Sequence, residues 1–188
     1  MSQDDLEKRY GSRRVILVDE LDNEIGTASL IEAHRGRGLK HRALSLCLWR
    51  QTQKGREWLL QQRATEKPIF PELWANTCCY NLAPGENYKK AAVKRVWEEM
   101  GIKLEEEGLR LVGRFSYFAP DKNGWCENEV DTVIVGEWDG EVKPNPEEVK
   151  EWEWLEEVEI ERQLRDQPER FAPWFFKVWE IVARRLSE

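Results

Sequence analysis

Apolar and polar positions alternate in short runs along the chain. Residues 14–18, 43–49, 58–62, 109–118, 130–138 and 149–155 read as strands. In the second run Leu44, Leu46 and Leu48 fall on one face and Ser45 and Cys47 on the other, the period-two pattern of a strand with two unlike faces. The period changes at residues 87–100, where Val93, Val96, Trp97 and Met100 recur at helical spacing between a capping Asn87 and a closing Gly101. A second helix follows Pro173, with Phe175, Val178, Trp179, Val182 and Leu186 on one face. Strands interleaved with two amphipathic helices predict the α/β (α+β) class, a mixed sheet covered by helices.

A chain of 188 residues fits one domain with a sizeable core. With no repeat or low-complexity tract, the expected organisation is a polar N-terminal tail over residues 1–12 and a single domain over 13–188. Charged residues make up 35% of the chain and the formal net charge is −7, a surface that repels nucleic acid and anionic lipid. No apolar run approaches the roughly 20 residues of a membrane helix, and the first residues carry no apolar signal core. These features predict a cytoplasmic protein with no nucleic-acid or membrane partner. The spacing of Cys47, Cys78, Cys79 and Cys126 resembles no secreted disulfide framework, so reduced thiols are expected.

The candidate chemistry lies in three places. His34 and His41, the two histidines of the chain, stand in a Gly/Arg-rich segment and read alone as solvated loop residues. Glu127 and Glu129, spaced to share one face of a strand, supply two carboxylates, and together the four form a plausible nitrogen and oxygen set for a divalent ion. In the segment WANTCCYN, Cys78 and Cys79 occupy opposite faces if the chain is extended. They are either two small buried residues or one buried thiol and one functional thiol, with Asn81 on the face of Cys79. On the first helix, counting about 100° per residue, Glu99 lies roughly 110° from the centre of the apolar face and Glu98 roughly 150°. Glu99 is therefore the better placed to reach a cleft, and Glu98 reads as an exposed charge.

Residues 94–102 spell most of a Nudix box, with Lys94 for its Arg, Glu98 and Glu99 for its paired acids, and Glu86 upstream; Arg95 replaces the first Glu of its core. Over about residues 14–174 the chain resembles type I isopentenyl diphosphate isomerase, a Nudix-fold family. His34 and His41 fall on that family's first two metal histidines, Glu127-Asn128-Glu129 on its Glu-x-Glu, and Cys79 on its catalytic cysteine in a Trp-x-Asn-x-x-Cys context. Tyr117 and Trp174 match its catalytic-site tyrosine and tryptophan, Arg63 and Lys67 its diphosphate-binding pair, and Glu99 the carboxylate that holds magnesium against the diphosphate. The resemblance implies a Nudix-type mixed sheet sandwiched between helices and a prenyl diphosphate substrate. It also implies proton addition and removal by Cys79 and Glu129 on opposite sides of an allylic system.

Three positions depart from the family. Asn81 stands for its third metal histidine, Tyr80 for a glycine, and Leu30 for a diphosphate-binding lysine. An amide oxygen in place of imidazole implies weaker binding and a tilt from Zn2+ toward Mg2+ or Mn2+. Two other readings use the same residues: a Nudix diphosphohydrolase working through Glu86, Glu98 and Glu99, and a catalytically silent diphosphate-binding module.

Overall fold

The computed structural model describes residues 3–186. Its elements are α1 (Gln3–Tyr10), β1 (Arg14–Val18), β2 (Glu24–Ser29), α2 (Leu30–Ala33), β3 (His41–Thr52), β4 (Gly55–Arg63), β5 (Trp74–Ala75) and β6 (Cys78–Asn81), followed by α3 (Tyr88–Met100), β7 (Arg110–Pro120), β8 (Cys126–Glu137), β9 (Val149–Glu156), α4 (Glu157–Asp166) and α5 (Phe175–Leu186). The organising strand is β3. Along one edge it pairs in parallel with β8 from His41↔Glu129 to Trp49↔Glu137. Along the other it pairs with β6 in its first half and, antiparallel through a tight turn, with β4 in its second half. Strand β7 extends the sheet beyond β8, and β9 extends it beyond β4.

The alternation in β3 divides the core in two. Leu44, Leu46 and Leu48 pack with Ala92, Val96 and Met100 of α3, while Cys47 on the opposite face packs with Val178, Trp179 and Val182 of α5. Each large apolar side chain so buried contributes roughly 1.5–3 kcal/mol. Helix α5 follows the expected stripe through Phe175, Val178, Trp179 and Val182; the side chain of Leu186 lies outside the described residues.

Helix α3 begins as expected, with Asn87 Oδ1 accepting from the Lys89 N–H at 2.9 Å, and ends at Gly101 with φ 64°, a left-handed turn suited to glycine. Its buried face differs from the expected one. Ala91, Ala92, Arg95, Val96, Glu99 and Met100 are buried, whereas Trp97 is 51% exposed with Lys103 Nζ 5.0 Å from its ring centre. Ion pairing lets Arg95 and Glu99 take the place that hydrophobicity assigned to Trp97. The first residues also differ from a polar tail. They form α1, whose Leu6 and Tyr10 are buried in the core because the two stand four residues apart on one helix face. Strand β2 left no apolar pattern, since four of its six residues are exposed.

Among the described residues, no helix is long and apolar enough to cross a membrane.

Candidate active site

The pairing of β3 assembles the site. Register sets Glu129 beside His41, Asp131 and Asn81 on either side of Ala43, and Cys79 beside Ser45, while Tyr117 on β7 pairs with Glu129. Period-two alternation turns all of these toward the α5 side of the sheet. The neighbouring Cys78 points the other way and is fully buried against α3, so the two thiols have the unlike environments that an extended segment requires.

His34 arrives from α2, which opens with a capping box in which Ser29 and Glu32 bond reciprocally. Its Nδ1 donates to the Leu30 carbonyl at 2.7 Å, which leaves Nε2 directed at Glu127 Oε2, 3.0 Å away. His41 is fixed likewise, with Nδ1 donating to Leu39 O at 2.7 Å and Nε2 lying 3.4 Å from Glu129 Oε1. The intervening loop depends on Gly38 at φ 63°, where a Cβ would stand 2.6 Å from Cys126 Sγ. One ligand atom from each of His34, His41, Glu127 and Glu129 lies within 4.8 Å of all the others, and all four residues are buried. Glu127 Oε2 finds no hydrogen bond of sound geometry. Two imidazole nitrogens freed by backbone anchoring, facing two buried carboxylates with an orphaned oxygen, fit a divalent cation.

Burial and the charge of Glu129 raise the Glu127 carboxyl above its ordinary value. Burial acts in the same sense on Glu129, but the hydrogen bond and charge of His41 outweigh it and hold Glu129 below the ordinary value. Tyr117 Oη donates to Glu129 Oε2 at 2.5 Å, and burial beside that carboxylate pushes the phenol well up.

Asn81 joins the group through its nitrogen. Nδ2 donates to Glu129 Oε1 at 2.5 Å and lies 3.1 Å from His41 Nε2. Two acceptors on one side favour the NH2 end, so the amide oxygen expected to face an ion points elsewhere in this arrangement. Cys79 lies across β3 from Glu129. Its thiol is pushed up to about 12 by burial first and by Asp131 second. Ser45 Oγ donates to Asp131 Oδ2 at 2.7 Å and stands 3.7 Å from Cys79 Sγ, while Cys79 Sγ donates to Asn76 Oδ1 at 3.4 Å. Trp174 Nε1 donates to the same Asn76 oxygen at 3.3 Å, which fixes its ring against Phe70 and Tyr117 over the cavity. Ser45 and Asp131 are neighbours of Cys79 that sequence reasoning did not single out, and Asn76 entered it only as part of the Trp-x-Asn-x-x-Cys context. For Asp131 the signal was present, since it continues the Glu127, Glu129 alternation by one step.

The basic end of the cavity behaves differently. Arg63, at a register shift of β4 on β9, donates to the carbonyls of Phe70 and Ile69, with its guanidinium carbon 5.3 Å from the Trp174 ring centre. Glu99 is buried as expected but is not gathered with the ligand group. Its Oε1 accepts from Arg95 at 2.5 Å and from Lys67 at 3.3 Å, and its Oε2 accepts from Gln61 at 2.8 Å. Arg95 and Lys67 also bind Glu148, which with Arg9 completes the cluster. With both oxygens engaged by donors, Glu99 acts here as an anchor for cations. Glu98, as expected, lies at the surface, where it pairs with Arg95 at 3.2 Å.

Fold and site together define a Nudix protein with a histidine and carboxylate group able to hold a metal, and residues 39–175 match the NUDIX domain family. The chain is 43% identical over 175 residues to the isopentenyl-diphosphate Delta-isomerase of Nocardia farcinica, covering 93% of this chain and 97% of that one. It is 39% identical to that of Aliivibrio fischeri with the same coverage. The chain belongs to the isopentenyl-diphosphate Delta-isomerase family. A solved structure from Deinococcus radiodurans superposes with TM-score 0.70 over 92% of this chain and 98% of that one, and a Caenorhabditis elegans Ap4A hydrolase with 0.54 over 78% and 97%. At 20% identity each, both show the shared fold alone.

Proposed function

We propose that the protein is a cytoplasmic, metal-dependent isomerase that interconverts isopentenyl and dimethylallyl diphosphate, using Cys79 and Glu129 as its two proton-transfer groups. The observation that carries this reading is their placement. They stand on strands flanking β3, turn to the same face, and line one cavity with Tyr117 and Trp174. Moving a double bond by one carbon adds a proton at one end and removes another from the neighbouring carbon, and the reverse reaction exchanges the roles. Two acid/base groups on either side of β3, opposite Ser45 and His41, that face one cavity suit that task.

Each group has the support that the chemistry requires. The Tyr117 hydroxyl orients Glu129 and can pass a proton to or from it. The Asn76 amide holds both the Cys79 thiol and the Trp174 indole, so the ring facing a developing tertiary cation is fixed relative to the sulfur. A π face against that cation contributes about 2 kcal/mol when desolvated. The aromatic wall also excludes water that would trap the cation as an alcohol.

His34, His41, Glu127 and Glu129 would hold the divalent ion. A bound ion would lower the proton affinity of Glu129 and offset the charge of the neighbouring acids. The amide at Asn81 in place of imidazole favours Mg2+ or Mn2+ over Zn2+, and Asn81 could present its oxygen after a flip of the amide. Arg63 and Lys67 would grip the diphosphate, with Glu99 holding Lys67 and Arg95 in place. A reduced compartment agrees with the four free thiols. A diphosphohydrolase is less well supported, because Arg95 stands where its first box acid would be and binds Glu98 and Glu99.

The test incubates the protein with isopentenyl diphosphate and Mn2+ and follows dimethylallyl diphosphate. Cys79→Ala and Glu129→Gln should each lower kcat by at least about a thousandfold with the fold intact. Phosphate release that is indifferent to Cys79→Ala would replace this reading with hydrolysis.

A further inference from the structure

The cations around the cavity are not equivalent. Arg95 and Lys67 are each paired with Glu99 and Glu148, and Arg63 is committed to two backbone carbonyls. Arg13 lines the same cavity from the segment between α1 and β1. Among the described residues, no carboxylate lies within ion-pair distance of its guanidinium. Two rings flank it, with the guanidinium carbon 5.9 Å from the Tyr10 ring centre and 5.3 Å from that of Tyr80, and the charges that act on it from outside ion-pair distance, Arg95 and Glu148, are paired with each other. Burial and repulsion from Arg95 lower its pKa, yet a guanidinium stays charged throughout the physiological range. A cation taken partly out of water, bracketed by aromatic faces and with no carboxylate of its own at ion-pair distance, is open to an anionic ligand.

The backbone fixes where that charge is offered. The Arg13 N–H donates to Tyr10 O at 3.0 Å, and the Arg13 carbonyl accepts from the Leu30 N–H at 2.8 Å. Arg13 is therefore tied directly to Leu30, which itself lines the cavity as an uncharged residue. Tyr80, one residue after Cys79, forms the other wall of the bracket and is held at its hydroxyl by Glu86 Oε1 at 3.4 Å.

We propose that Arg13 is a diphosphate-binding residue of this protein, held toward the cavity by Tyr10 and Tyr80 and carrying positive charge into the site from the N-terminal segment. The proposal rests on the prenyl diphosphate reading of the substrate. It gives α1 a part in the site, because Tyr10 both anchors that helix in the core and braces the cation. It also couples two positions: the bulk at Tyr80 is useful here because Arg13 leans on it.

Steady-state kinetics with isopentenyl diphosphate test this, together with calorimetric binding of inorganic pyrophosphate and thermal melting of every variant. Arg13→Gln should raise KM and weaken pyrophosphate binding by at least about tenfold while kcat changes less than about threefold. Arg13→Lys, which keeps the charge and loses the fork, should fall between the two and carries the test if Arg13→Gln does not fold. Tyr80→Gly should raise KM in the parent protein and add little in the Arg13→Gln background. Folded Arg13 variants with unchanged KM and pyrophosphate affinity would overturn the proposal. A parent protein that fails to isomerise the substrate, while pyrophosphate binding still depends on Arg13, would instead reject the isomerase reading and leave the anion contact standing.

Discussion

The ligand group beside β3 and the ion-pair cluster on α3 line one cavity and balance charge differently. The first gathers Glu127, Glu129 and Asp131, and among the described residues no lysine or arginine lies within ion-pair distance of them; their partners are His34, His41, Asn81, Tyr117 and Ser45. The second sets Glu99 and Glu148 against Lys67 and Arg95. Burial first and the neighbouring Glu129 second raise Glu127 and Asp131 above their ordinary values, while Glu129, despite burial, is held below its own by His41. In the second cluster the cations reverse the sign. Glu99 is held low, and Glu148 is lowered to about 2, with burial opposing the pull of Lys67 and Arg95. The first region holds more carboxylates than cationic side chains and is suited to a cation. The second balances its carboxylates with cations from the chain itself.

That contrast can be broken by exchanging ligands. His41→Ala or Glu127→Gln should weaken Mn2+ binding, read by calorimetry, at least about a hundredfold, whereas Glu99→Gln should leave that affinity within about threefold. Equal losses in all three would make Glu99 a ligand and erase the distinction between the regions. A smaller effect sharpens the position of Asn81. Asn81→His replaces an amide whose nitrogen faces the group with an imidazole, and should tighten Mn2+ or Zn2+ binding by about tenfold. Unchanged affinity would mean that position 81 does not reach the ion.

A separate effect concerns stability. Because the Glu148 carboxyl is held at about 2 in the folded chain and near 4.5 when exposed, its contribution is fully present above about pH 4.5 and is lost as pH falls toward 2. The stability gap between the parent and Glu148→Gln, about 3 kcal/mol at neutral pH, should therefore close between pH 5 and 2 in denaturant titrations. A gap independent of pH would show that the carboxylate is not held by its cations.

Much of the site was legible in the sequence because its residues lie on strands, where alternation alone assigns faces. Cys79, Tyr117 and Glu129 converge as that pattern and the family resemblance imply, whereas His41, which alone reads as a solvated loop residue, is buried at the start of β3, where only the resemblance placed it with them. What the sequence concealed were the partners contributed by the fold. Ser45 acquires meaning only when β3 brings it between Asp131 and Cys79. Glu148 meets Arg95 and Lys67 across more than fifty residues of chain. Helix α3 was misjudged in rotation because a tryptophan outweighed an arginine and a glutamate in any hydrophobic count, although a paired Arg95 and Glu99 bury well. In α1, only Leu6 and Tyr10 of eight largely polar residues mark the buried face, too sparse a pattern to outweigh the surrounding charge.

The most direct test of the central claim, proton exchange by Cys79 and Glu129, follows isopentenyl diphosphate by NMR in deuterated water with Mn2+ added and then removed by chelation before observation. The account predicts dimethylallyl diphosphate carrying deuterium from solvent, with label and product both absent in Cys79→Ala and Glu129→Gln. Product formed without deuterium, or labelled product from either variant at the parent rate, would contradict it.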